Sequence, residues 1–181
     1  MSWSSLRGQL LVSSPALHDP NFRRTVVLIA HHDDDGAMGL VLTRPSDVSA
    51  VDAVPALEGL PGSEEPVYVG GPVQPEALLV LADFADVGQA AVPIVGGVGF
   101  MPADAEPDDL AIRRVRLFAG YAGWGSGQLE AELAEPAWIV VPAEAGDAFA
   151  DDPDALWREV LKRKGGEYSV MEHMPYDPGL N

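Results

Sequence analysis

The chain has 181 residues, 47% of them hydrophobic, which suits one globular domain over residues 1–181 and excludes a disordered chain. It carries 28 acidic side chains against 11 basic ones, a formal charge of −17 that opposes non-specific binding to phosphate backbones. Cysteine is absent, which removes disulfides, zinc–thiolate sites and cysteine nucleophiles.

The N-terminus has no basic region followed by an apolar stretch, so no secretory signal is read there and the cytoplasm is the expected compartment. Gln9–Ser13 suits a first strand. Arg24–His32 is a stronger one, because its Val-Val-Leu-Ile-Ala centre is continuously apolar and fits a strand covered on both faces. Asp33–Gly36 makes a turn, and Met38–Arg44 returns as a strand that Pro45 ends, so Arg24–Arg44 reads as one β-hairpin. Asp47 can cap a helix over Val48–Leu57. Pro66–Val69 and Ala77–Leu81 are short strands around Gly70-Gly71-Pro72.

The uncharged stretch Val87–Ala103 approaches membrane-helix length, but its glycines and prolines would leave backbone groups unpaired in lipid. It is expected to be a loop with one short buried strand. Asp104–Asp109 is an acidic loop and Val115–Ala119 a strand. Gly127–Leu133 reads as a helix and Ala137–Val141 as a buried strand. Pro153–Lys164 is a final helix capped by Asp152, with basic residues at its negative end and Gly165-Gly166 to stop it. Strands that cluster as hairpins argue for an α+β fold with a mixed or antiparallel sheet. A partly closed barrel would hide the edges of so many short strands.

Three constellations bear on chemistry. His31-His32-Asp33-Asp34-Asp35 offers metal-ligand types, but consecutive strand residues face opposite ways and Asp is favoured in turns. Ser13, Ser14, His18 and Asp19 lie close in sequence, yet neither Ser14 nor Ser126 sits in a nucleophile elbow. Gly120–Glu130 (GYAGWGSGQLE) follows a strand and opens a helix. It matches no phosphate-binding loop and reads as a tight strand-to-helix turn or, alternatively, as part of a ligand pocket. The basic residues fall in groups, among them Arg113, Arg114 and Arg116, and read as surface ion pairs. From Leu117 to Trp157 there are eight acids and no lysine or arginine, a surface that could draw a basic partner.

Taken in order, these segments resemble the YqgE/AlgH family of bacterial proteins across nearly the whole chain. The resemblance rests on Pro15-Ala16-Leu17 with Asp19-Pro20, on Phe22–Val26, His32, Gly36–Val41 and Arg44-Pro45. It continues through Gly70–Val73, the Gly120–Glu130 stretch and Trp138. His31 and Thr43 depart from it, since the family often has Glu and Asn there. The resemblance implies an α+β fold with a bifurcated sheet and a small closed β-barrel, flanked by three or four helices, and no established catalytic residues or cofactor. The family name comes from a proposed role in transcriptional regulation.

The expected function is a non-catalytic regulatory or binding protein acting through a protein partner or a small ligand, without metal, membrane or direct nucleic-acid contact. The candidate binding residues are His32, Arg44, Gly71, Trp124, Gln128 and Glu130. Two alternatives are a regulator that binds DNA directly and an enzyme whose site gathers these dispersed residues. The enzyme requires His32 and Glu130 to lie together.

Overall fold

In a computed structural model, the described residues are 5–14, 24–135 and 137–166. The segments Pro15–Leu17, Asp19-Pro20 and Phe22-Arg23 of the family resemblance, and His18 and Asp19 of the serine reading, lie outside them.

Among the described residues, ten strands form one continuous network. They are β1 (Gln9–Ser13), β2 (Val26–Asp33), β3 (Gly36–Val41), β4 (Pro45–Ser49), β5 (Pro66–Val69), β6 (Val73–Phe84), β7 (Val92–Val95), β8 (Val98–Phe100), β9 (Ile112–Gly125) and β10 (Trp138–Pro142). The main path runs β10-β1-β2-β3-β9-β6-β8-β7, with β4 paired to β5 beside it. These pairings are antiparallel except that of β5 with β9. One edge of the long β9 is divided: Ala122–Gly125 pair with β3, while Phe118 and Ala119 pair with β5. Three α-helices lie among the described residues: α1 (Ala50–Ala53), α2 (Gln128–Ala134) and α3 (Pro153–Lys164).

The helices follow local chemistry. The Asp152 carboxylate accepts the Ala155 N–H at 3.2 Å, Pro153 occupies the first turn, and Gly165 at φ +79° ends α3. Leu156, Trp157, Val160 and Leu161 of α3 are buried on one face of β1–β3. Ile94 and Val98 of β7 and β8 join the same cluster, so the sheet curls over on itself. On the opposite face of β1–β3, Leu129 of α2 packs with Trp124, Trp138, Val27 and Ile29.

Four expectations need correction. The sheet is curled but open: among the described residues no pairing joins its two ends, so the small closed barrel is not formed. The helix expected over Val48–Leu57 is reduced to α1 and a 3-10 turn at Pro55–Leu57. Residues 45–49 instead pair with β5, and Pro55 lacks the N–H that would continue the helix. Val87–Ala103 holds two strands, β7 and β8, joined by Gly96-Gly97, a turn pair that favours hairpins. Finally, Gly120–Gly125 is strand rather than turn; only Ser126-Gly127 connects it to α2. Within it, Gly120 serves close approach between backbones, since a Cβ there would lie 2.6 Å from the Gly71 carbonyl oxygen. A Cβ on Gly36, opposite Gly125, would lie 2.2 Å from the Trp124 carbonyl oxygen.

Candidate functional site

β2 and β3 do not pair in one unbroken register. Ile29 pairs with Gly39 and His31 with Met38, leaving Ala30 as a bulge. The extra residue shifts the side-chain phase. His32 therefore falls on the same face as Ala37 and Trp124, its neighbours across β3 and β9, under α2. His31 turns to the other face, beside Met38.

His32 is bonded at both ring nitrogens. Nδ1 accepts the Leu6 N–H at 3.0 Å, so in the neutral ring the proton sits on Nε2, which donates to Glu130 Oε1 at 2.5 Å. The imidazole side chain is 2% exposed. Nearby serines are also engaged: Ser5 Oγ donates to the His32 carbonyl at 3.1 Å and Ser126 Oγ to the Asp34 carbonyl at 2.7 Å. Two residues further along α2, Glu132 gathers three donors. Its Oε1 accepts from the indoles of Trp124 at 3.1 Å and Trp138 at 2.9 Å, and its Oε2 from the Gln128 amide at 3.1 Å. The two indoles meet edge-on, with centroids 6.3 Å apart. Gln128 also accepts the Gly125 N–H at 3.0 Å.

Four of the six candidates thus share one neighbourhood: His32, Trp124, Gln128 and Glu130. Arg44 and Gly71 lie elsewhere. Arg44 donates to Thr25 Oγ1 at 3.4 Å, at the end of the hairpin opposite His32, about 20 Å away at strand rise. Gly71 presses on β9, where a Cβ would lie 2.1 Å from the Tyr121 carbonyl carbon. Glu132 escaped the sequence reading. Its signal was present in Trp124 and Trp138, because buried indoles need an acceptor. Arg116 also departs from the surface-pair expectation. It is 3% exposed, stacks 4.3 Å from the Tyr68 ring and donates to the Ala148 and Ala150 carbonyls. Burial lowers its pKa.

The opposite face carries a groove of about 650 Å³. Met38, Val73, Tyr121 and Gly123 contribute to it, with His31, Asp33 and Asp35 at the hairpin tip. Gly123 keeps it open, since a Cβ there would meet only Val73 at 3.4 Å and Tyr121 at 3.7 Å. His31 Nε2 lies 2.8 Å from Asp33 Oδ2, and this bond, followed by the Asp35 N–H, holds the Asp33 carboxyl below its ordinary range. No group of three or more histidine and carboxylate side chains among the described residues could hold a metal ion. No helix among them is long and apolar enough to cross a membrane.

An AlgH-like family profile matches residues 10–169. A UPF0301 protein of Streptomyces avermitilis is 45% identical, over 98% of this chain and 96% of its own. One from Chlorobaculum tepidum is 36% identical over 96% and 95%. The solution structure of the AlgH protein from Pseudomonas aeruginosa superposes with a TM-score of 0.70 at 30% identity, covering 97% of both chains. A crystal structure of a Corynebacterium diphtheriae protein gives a TM-score of 0.86 at 24% identity, over 96% of this chain and 94% of that one, a likeness of fold. With a profile spanning most of its length and relatives matched nearly end to end, this chain belongs to the AlgH-like, or UPF0301, family.

Proposed function

We propose that the protein is a non-catalytic binding protein whose small-ligand site is the groove beside the β2–β3 hairpin tip. The observation that carries this reading is the saturation of His32. A general base needs a free nitrogen facing substrate, whereas this imidazole is buried, accepts from Leu6 and donates to Glu130. The His32–Glu130 and Glu132 clusters therefore act as braces that fix α2 on the sheet. The groove combines an apolar floor with a few polar groups at one end, the usual make-up of a small-molecule site. Its chemistry favours an amphipathic ligand: an aromatic or aliphatic body against Met38, Val73 and Tyr121, and an amine or other donor toward Asp33 and Asp35.

A second reading keeps an enzyme, favoured by the 2.5 Å contact between His32 and Glu130. It requires the ring to exchange a partner it already holds for a substrate. Direct DNA regulation gains no support from a net charge of −17.

The test is a thermal-shift screen with small aromatic and aliphatic amines, run on the native chain and on Gly123→Leu. The added isobutyl group fills the groove floor on the face away from the His32 cluster. The reading predicts ligands that raise the melting temperature of the native chain and lose that effect in Gly123→Leu. A screen without hits, or shifts that persist in Gly123→Leu, contradicts it.

A further inference from the structure

Among the described residues, β6 has an unshared edge. β8 pairs with it only over Leu81–Asp83, and Met101 N–H adds a bond to the Val80 carbonyl at 2.9 Å. β8 ends at Phe100, and the chain leaves the ladder at Pro102. Backbone groups alternate between the two edges of a strand, and Leu78 pairs in register with Ala119 on the β9 side. The Leu78 N–H and C=O therefore face the same way as those of Val80, past the point where β8 ends. The Leu78 side chain is 44% exposed.

Beside this edge runs a second groove of about 240 Å³, lined by Leu57, Leu78, Val80, Phe100, Met101, Pro107 and other apolar residues, none of them charged. Its surroundings are acidic. Between Pro45 and Ile112 the chain has twelve Asp and Glu and no lysine or arginine. Glu58, Asp104, Glu106 and Asp108, next to lining residues in sequence, and Glu76, two positions before Leu78, are exposed.

We propose that the free edge of β6 and its adjoining apolar groove dock an extended apolar segment, flanked by basic residues, from a partner protein. An added strand would bond to Leu78 through its main chain and set alternate side chains into the groove. The acidic border selects the flanking charges and repels acidic competitors. A second copy of this chain fits poorly, since it would bring the same acidic border against this one.

The experiment uses fluorescence anisotropy on the full chain. The probes are two labelled peptides that share an alternating Val/Thr core, one with lysine ends and one with glutamate ends. The lysine peptide is expected to bind at least about tenfold more tightly than the glutamate peptide, and more weakly as salt rises to about 500 mM. N-methylation of alternate core residues should abolish binding in one register and spare it in the other. Leu78→Asp, at an exposed position, should weaken binding about tenfold or more, and Glu76→Lys with Asp108→Lys should narrow the preference between the peptides. Absence of binding, equal binding of both peptides, or affinity unchanged in Leu78→Asp overturns the proposal. So does sedimentation showing a dimer that Leu78→Asp dissociates, which would make the occupant a second copy.

Discussion

His32 joins three parts of the chain: the N-terminal segment through Leu6, the hairpin that carries it, and α2 through Glu130. Removing a buried partner leaves its former donors and acceptors unsatisfied, which costs more than a hydrogen bond contributes when made. His32→Ala should therefore destabilise the protein by about 2–4 kcal/mol, combining the orphaned Leu6 N–H with the cavity left by the ring. Glu130→Gln keeps an acceptor oxygen for Nε2–H and should cost under about 1 kcal/mol. Urea unfolding of the two variants checks the contrast. Equal and small effects would mean that the pair does not brace the fold. At this scale the sequence was legible by residue type but not by pairing. His32 and Glu130 stand 98 positions apart, and only the register of β2, β3 and β9 brings them together.

Elements with strong end signals could be read in advance. Asp152, Pro153 and Gly165 bound α3 as expected, and Asp-Gly at the tip of β2–β3 marked its hairpin. The bulge at Ala30 was hidden for a physical reason: Val26–Ala30 is apolar at every position, so no alternation records the phase that the bulge shifts. The glycine-rich end of β9 misled because glycine carries two meanings. It frees the backbone at a turn, and it also lets two backbones approach within a sheet. The two uses give different mutants. Gly71→Ala forces a Cβ to within 2.1 Å of a β9 backbone carbon and should cost about 3 kcal/mol or more. Gly127→Ala, at φ +75° with nothing within 4 Å, carries only the left-handed backbone penalty of about 1 kcal/mol. Chemical denaturation of both distinguishes crowding from conformation, and equal costs would reject the distinction.

Across the whole molecule, the two faces of the β1–β3 sheet take different roles. One is sealed by α2, with its polar groups bonded to one another around Trp124 and Trp138. The other is sealed by α3 over part of its area and left open beside Met38, Tyr121 and Gly123. Apolar runs and turn residues foretold a largely antiparallel sheet, though not the length of β6 and β9, at 12 and 14 residues, nor this division, because which face a residue takes depends on the displaced register. On the proposed reading, ligand contact is expected on the face opposite the buried histidine. Amide chemical-shift mapping with a library of small aromatic and aliphatic amines tests this most directly. Perturbations are expected to cluster at His31, Met38, Val73, Tyr121 and Gly123. Perturbations centred instead on Leu6, His32, Gln128 and Glu130 would contradict it.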